Sequence, residues 1–172
     1  MKRLIKKYMI YITLLLIITA FGCTYSLYSN ALPHIKTVQI AEFENQSSEY
    51  VIEESLTDLL LQKFEQDRKL KIVTINSDCI LEGEILDYSD EIKQYSSSDE
   101  IEQYEVKILF NITFTDLVKN EEIWSNDSLL LKEIYSTSSE ETSTIANSAE
   151  EAFEIIVDNL YKEILKNSLE EW

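Results

Sequence analysis

The residue with the most definite chemistry in the sequence is Cys23, a thiol that follows an apolar N-terminal run. The chain opens with the basic segment Lys2–Lys7 and continues with the uncharged apolar stretch Met9–Ile18. A positive start, a short apolar core and a small residue before a break are typical of a secretory signal peptide. The apolar stretch is too short to cross a bilayer as a mature helix. We therefore predict that residues 1–22 are a cleaved signal peptide.

The placement of Cys23 directly after Gly22 matches the end of a bacterial lipobox, in which the cysteine is acylated and becomes the mature N-terminus. Ala20 and Phe21 depart from the leucine-like and small residues that usually precede that pair. The alternative is an ordinary signal peptide in which the cysteine stands by chance. On the first interpretation the signal peptide is of the lipoprotein type, and Cys23 is the lipid-attachment residue.

Cleavage after residue 22 leaves 150 residues, which is the size of one domain. We assign residues 23–34 to the lipidated N-terminus and a tether, and residues 35–172 to a single domain. The chain has 15 Lys and Arg and 32 Asp and Glu; without the four leader cations, 11 remain against 32, a formal charge of −21. Because a chain this acidic repels polyanions, nucleic acid is excluded as a partner.

Arg68, Lys69 and Lys71 are three basic residues within four positions, and they form the only sequence-local cationic patch of the mature chain. Guanidinium and ammonium groups are suited to binding phosphate groups. The alternative is a helix C-terminus with cations that interact favourably with the helix dipole. We keep these three residues as candidate ligand-binding residues.

Residues that could support catalysis are few. His34 is the sole histidine and is expected to be solvated in the tether, so no nucleophile–histidine pair is predicted. Cys79 lies in an apolar pattern, which favours a small buried side chain over a reactive thiol. Gly22 and Gly83 are the only glycines, so there is no glycine-rich phosphate loop, and no Cys/His zinc spacing occurs. We predict neither an enzyme nor a cofactor or metal site.

Two amphipathic helices are predicted from apolar residues at helical spacing. The first covers Tyr50–Asp67, with Ser47 or Ser48 as its cap. The second begins near the capping-box spacing Ser138-x-x-Glu141 and runs almost to the C-terminus. Each helix has one apolar stripe, so each must pack against another layer.

The clearest strand is Glu105–Leu117, where strict alternation of apolar and polar residues is typical of a half-buried antiparallel strand. Gly83, inside another strand, predicts a bulge or the close approach of another backbone. The order of elements predicts an α+β fold with two helices packed on one face of a mostly antiparallel or mixed four- to five-stranded sheet. The remaining predicted strands are Ile35–Phe43, Leu70–Val73, Asp78–Tyr88 and Ile123–Tyr135.

These segments together resemble the LPS-assembly lipoproteins of the LptE family over nearly the whole mature chain. The resemblance implies an acylated N-terminal cysteine, two helices on a roughly four-stranded sheet, and no enzymatic activity. The residues that carry it are Ile35–Phe43 with Glu44-Asn45, Leu70–Val73, Ser77–Tyr88, Val106–Asp116, Trp124, Tyr135 and Trp172.

What the resemblance implies for function is a structural role in lipopolysaccharide transport. Members of the family plug and help assemble the LptD-type outer-membrane β-barrel and can contact lipopolysaccharide. Acyl chains on Cys23, palmitate among them, would hold the protein on the periplasmic face of the outer membrane. The alternative is another periplasm-facing outer-membrane lipoprotein, of the TolB-like or curli-secretion-like type, acting as an envelope scaffold or secretion component.

Overall fold

A computed structural model describes residues 32–95, 101–136 and 145–170. These residues form six strands and two α-helices, and a π-helical turn, Lys166–Glu170, follows the last helix. In chain order the elements are β1 Thr37–Ile40, β2 Glu44–Asn45, α1 Ile52–Asp67, β3 Lys71–Ile72, β4 Cys79–Tyr95, β5 Ile101–Asp116, β6 Glu121–Tyr135 and α2 Ala149–Leu165.

The alternating pattern of β5 divides its side chains between the core and the uncovered face of the sheet. All five apolar residues of its inner set are fully buried, at 0% exposure, while the residues between them are half-buried. The predicted half-buried strand is therefore confirmed. The inner set consists of Val106, Ile108, Phe110, Ile112 and Phe114.

The long strand β4 organises a mixed sheet with the order β3-β1-β4-β5-β6. It pairs antiparallel with β5 on one side and parallel with β1 and β2 on the other. Because β1 meets β4 at residues 79–81 and β2 meets it at residues 84–85, the two short strands lie end to end along one edge of β4. The predicted α+β class with a mixed sheet is confirmed, and the short β2 brings the strand count to six.

Gly83 of β4 faces the buried ring of Phe43. A Cβ atom at Gly83 would lie 2.2 Å from Cε1 of that ring, which is too close for any side chain. The close approach predicted from the sequence is therefore real, but the group that approaches is an aromatic ring rather than a backbone. Phe43, in the segment between β1 and β2, is therefore part of the buried core.

Helix α1 buries the predicted stripe of Ile52, Leu56, Leu60 and Phe64. Its start differs from the prediction, since neither Ser47 nor Ser48 caps it. The N-terminal cap is Val51, in the left-handed region with φ 69°, and it makes no side-chain capping bond. The Ser47 hydroxyl instead donates to Oδ1 of Asn45 at 2.7 Å, because a turn between β2 and the helix competes for that serine.

Helix α2 starts later than predicted. Its cap is Ser148, whose hydroxyl accepts the Glu151 amide at 3.2 Å, so a second serine–glutamate spacing defines the helix start. The predicted capping box at Ser138 lies outside the described residues. Ala146, expected inside the helix, forms a bridge with Tyr135 at the end of β6 instead.

The two helices lie side by side on one face of the sheet and run in the same direction. The rings of Phe64 and Tyr161 meet edge to face with centroids 4.9 Å apart. Lys63, the residue before Phe64, donates to Asp158, which lies about one turn before Tyr161, at 2.6 Å. Because later residues of α1 meet later residues of α2, both helices end at the same pole of the molecule, beside the start of β3.

Candidate functional site

The three candidate cations follow directly from the end of α1. Arg68 closes the helix in the left-handed region with φ 57°, and its backbone amide donates to the carbonyl of Phe64 at 3.2 Å. Lys71 opens β3, where its amide donates to the carbonyl of Lys36 at 2.9 Å. The sharp turn from helix to strand thus fixes the backbone of this segment at the surface. We call the region around the C-terminal ends of both helices the basic pole.

The structure divides the three cations between two neighbouring hollows. Arg68 and Lys71 border a hollow of about 330 Å³ that is also lined by the apolar Phe64, Leu70 and Ile72 and by Glu65. Lys69 borders a separate hollow of about 620 Å³. The patch expected from local sequence is therefore two half-sites rather than one.

Cations from distant parts of the chain join Lys69 around the larger hollow. Lys63 comes from α1, and Lys162 and Lys166 come from α2 and the turn that follows it. These three were missed at the level of sequence. The i, i+4 spacing of Lys162 and Lys166 places them on one helix face. Only the pairing of the two helices brings that face to Lys63 and Lys69.

Two aspartates partly neutralise the larger hollow. Asp158 accepts from Lys63 and from Lys162, each at 2.6 Å, and Asp67 lies 3.6 Å from the Lys69 ammonium. Hydrogen bonds from Lys162 and Lys63 lower the pKa of Asp158, against a smaller opposing effect of burial. Four ammonium groups against two carboxylates leave this hollow with a local excess of positive charge. Arg68 and Lys71 have no carboxylate within ion-pair distance in the described part of the chain.

His34 is held by the domain, which corrects the expectation that it is solvated in the tether. Its Nε2 contacts the carboxylate of Asp116, a residue only 2% exposed. Burial raises the pKa of Asp116, but hydrogen bonds from His34 and from the amides of Lys119 and Val118 outweigh it and lower the pKa. The contact fixes the end of the tether to the base of the sheet.

Cys79, His34 and Asp116 lie in one neighbourhood, yet the arrangement does not activate a nucleophile. Cys79 is fully buried, and its thiol is 3.3 Å from the carbonyl oxygen of Thr37. Burial, aided by the charges of Asp78 and Asp116, raises the pKa of Cys79 to about 12. The thiol is therefore protonated at neutral pH and inaccessible to a substrate, as expected for a structural cysteine.

Within residues 32–95, 101–136 and 145–170, no three His, Cys, Asp or Glu side chains converge in a way that could hold a metal ion. No helix in the same ranges is long and apolar enough to cross a membrane. Cys23, the predicted lipid-attachment residue, lies outside the described residues.

Known proteins resemble this chain in fold and in sequence pattern. No curated protein matches the sequence. Hypothetical protein CT253 from Chlamydia trachomatis has a similar fold, with 9% identity, coverage of 76% of this chain and 94% of that chain, and a TM-score of 0.51. That likeness concerns the fold alone.

Two further solved structures align with TM-scores below 0.5. Protein XCC0632 from Xanthomonas campestris is 15% identical, covers 78% of this chain and 89% of that chain, and has a TM-score of 0.49. Rare lipoprotein B from Shewanella oneidensis is 14% identical, covers 74% of this chain and 91% of that chain, and has a TM-score of 0.47.

The decisive comparison is the family model for lipopolysaccharide assembly, LptE, which matches residues 35–167. Since that match spans most of the chain, the protein belongs to the LptE lipopolysaccharide-assembly family.

Proposed function

We propose that the protein is an outer-membrane lipoprotein that associates with an LptD-type β-barrel, plugs it and helps it assemble for lipopolysaccharide transport to the cell surface. The observation that carries this proposal is the family match over residues 35–167. The leader that ends at Gly22-Cys23 supports a lipid anchor. In this scheme residues 1–22 are removed, residues 23–34 form the tether, and residues 35–172 form the functional domain.

The contact between His34 and Asp116 supports anchoring close to the basic pole. The described chain enters the domain at Leu32, whose carbonyl accepts the Ile35 amide at 3.0 Å. Nine residue steps separate Leu32 from Cys23, so a fully extended tether reaches about 30 Å. An anchor on Cys23 would therefore keep Leu32, where the described chain enters the domain, within that distance of the membrane surface.

The basic pole is the region that we propose for contact with lipopolysaccharide, through Arg68, Lys69 and Lys71. Phosphate groups of the lipid would meet these cations locally, because the net charge of −21 repels an anionic ligand at long range. Arg68 and Lys71 lie beside a partly apolar hollow, which suits a ligand with both phosphate and acyl groups. Lys162 and Lys166 add positive charge around the hollow that Lys69 borders.

We further propose a role without catalysis. The buried, protonated Cys79 and the pairing of His34 with a structural carboxylate support this proposal. The function then rests on shape, anchoring and surface contacts.

Affinity capture from detergent-solubilised outer membrane tests the proposal. The lipidated protein should bring down one large β-barrel protein in a stable, stoichiometric complex. Capture of a self-assembled ring or of a secretion apparatus without that barrel would contradict the proposal, and would favour the TolB-like or curli-secretion-like alternative.

A further inference from the structure

A second surface lies at the opposite end of the helix layer. A groove of about 480 Å³ runs between the N-terminal halves of α1 and α2. We call it the interhelical groove. Leu59 of α1 and Phe153 of α2 form its apolar walls, and Tyr88 of β4 lies at its base. All three side chains are only partly buried, so the groove presents apolar surface to the solvent.

The mouth of the groove carries two exposed apolar side chains. Tyr50 is 87% exposed and Val51 is 59% exposed, although both border the groove. An exposed tyrosine beside partly covered aromatic groups is the composition found at the centre of protein interfaces. This surface can therefore gain apolar burial from a partner.

The rim of the groove is acidic. Glu49, Asp58, Glu150 and Glu154 line it, and no Lys, Arg or His lies among its described lining residues. None of the four carboxylates has an ion-pair partner in the part of the chain that the structure describes. Glu105 differs, since the ammonium groups of Lys93, Lys107 and Lys132 lie within 4.0 Å of it.

Helix dipoles do not account for this charge. Glu150 lies in the first turn of α2, where a negative charge is favourable without any partner. Asp58 and Glu154 lie beyond the first turn of their helices, where the dipole effect has faded. Unpaired like charges around an apolar floor repel one another, and a cationic ligand would remove that repulsion.

We propose that the interhelical groove docks a cationic, amphipathic segment of the barrel partner, with an apolar side chain seated between Leu59 and Phe153 and Lys or Arg side chains on the acidic rim. The proposal rests on the barrel association proposed above. Charge complementarity selects the occupant, because the charged side chains among the described lining residues of the groove are all carboxylates. Apolar anchoring supplies affinity, while the rim charges supply orientation and speed of association.

Charge reversal with a matched control tests the docking. Glu150→Lys with Glu154→Lys changes the groove, and Glu82→Lys with Glu121→Lys makes the same charge change at exposed positions on the sheet. We expect the groove variant to lose about tenfold or more in affinity for the co-expressed, purified barrel, and the control to stay within about twofold. Equal affinities for the two variants, both with wild-type melting temperatures, would overturn the proposal.

A photo-crosslinking residue maps the contact directly. Placed at Tyr50, it should form adducts with a barrel peptide that carries excess Lys and Arg, whereas the same residue at Ile75, 73% exposed outside the groove, should not. Adducts from Ile75 alone, or a Tyr50 adduct with a neutral or acidic peptide, would contradict the assigned occupant.

A further experiment separates two outcomes: that the protein does not bind a barrel, and that the groove does not bind cationic segments. If the wild-type protein captures no barrel, a synthetic 14-residue Leu–Lys amphipathic helix serves as the probe. Under the proposal it binds the wild type and the Glu82→Lys/Glu121→Lys control alike and binds the groove variant about tenfold more weakly. Equal binding to all three would mean that the groove has no cationic selectivity.

Discussion

Two residues lie at the two ends of the predicted tether. Cys23 would carry the lipid at one end, and His34 contacts the buried Asp116 at the other. The sequence predicts the role of Cys23 from its leader, but it did not predict the contact of His34. Asp116 lies 82 positions from His34, and nothing in the local pattern of either residue indicates their partnership.

Replacing Cys23 tests the anchor. Cys23→Ala removes the only thiol at the predicted processing site, so the protein should lose acyl labelling and appear in the soluble periplasmic fraction. Cys79→Ala is the matched control, because its thiol is buried in the core. Acyl labelling and membrane partition that persist in Cys23→Ala would show that the lipid is elsewhere or absent.

Acid titration tests the junction between tether and domain. The pKa of Asp116 is lowered in the folded protein, so its charged form stabilises the fold above the ordinary carboxylate pKa of about 4. That contribution is lost as the pH falls through the lowered pKa. Asp116→Asn should reduce the free energy of unfolding at pH 7 by about 1–3 kcal/mol and leave it less dependent on pH below about 4. An unchanged acid dependence in urea melts would assign the effect to other groups.

At the scale of elements, the sequence predicted what local periodicity determines. The stripe of α1 and the alternation of β5 follow from apolar spacing, and both are confirmed. The end of β4 was not predicted, since the strand continues past Tyr88 to Tyr95 through mostly polar residues. Hydrogen bonding to β5 holds that extension, for example at Ser89 opposite Lys107. Pairing of this kind leaves no signal in the polarity of the chain.

The face assignment of β5 gives a paired prediction. Phe110→Asn buries an amide in a fully covered site and leaves a cavity, so we expect a loss of about 4 kcal/mol or more. Leu109→Asn, one residue away on the uncovered face, should cost about 1 kcal/mol, because its side chain is only half-buried. Urea denaturation measures both, and equal losses would mean that the two faces are assigned wrongly.

For the molecule as a whole, charge is distributed unevenly. Arg68, Lys69 and Lys71 lie at one end of the helix layer with Lys63, Lys162 and Lys166. At the other end, the interhelical groove is lined by carboxylates that have no ion-pair partner among the described residues. The sequence predicted the first three cations because they are adjacent in the chain. It could not predict their division between two hollows, which depends on how the parallel helices pair.

Lipopolysaccharide binding tests the basic pole. Arg68→Glu with Lys71→Glu should weaken binding of purified lipopolysaccharide at low salt by about tenfold, and adding Lys69→Glu should weaken it further. Lys93→Glu with Lys132→Glu is the control, because it makes the same charge change at two exposed positions beside Glu105, at the other end of the sheet. If both double variants bind lipopolysaccharide as the wild type does, the three cations only stabilise the end of α1.

Depletion of the protein in growing cells tests the central claim most directly, with lipopolysaccharide measured at the surface, in the periplasm and in the inner membrane. The account predicts that newly made lipopolysaccharide accumulates in the periplasm and inner membrane while its surface level falls, and that the wild-type gene restores transport. Normal arrival of lipopolysaccharide at the surface in depleted cells would contradict the account.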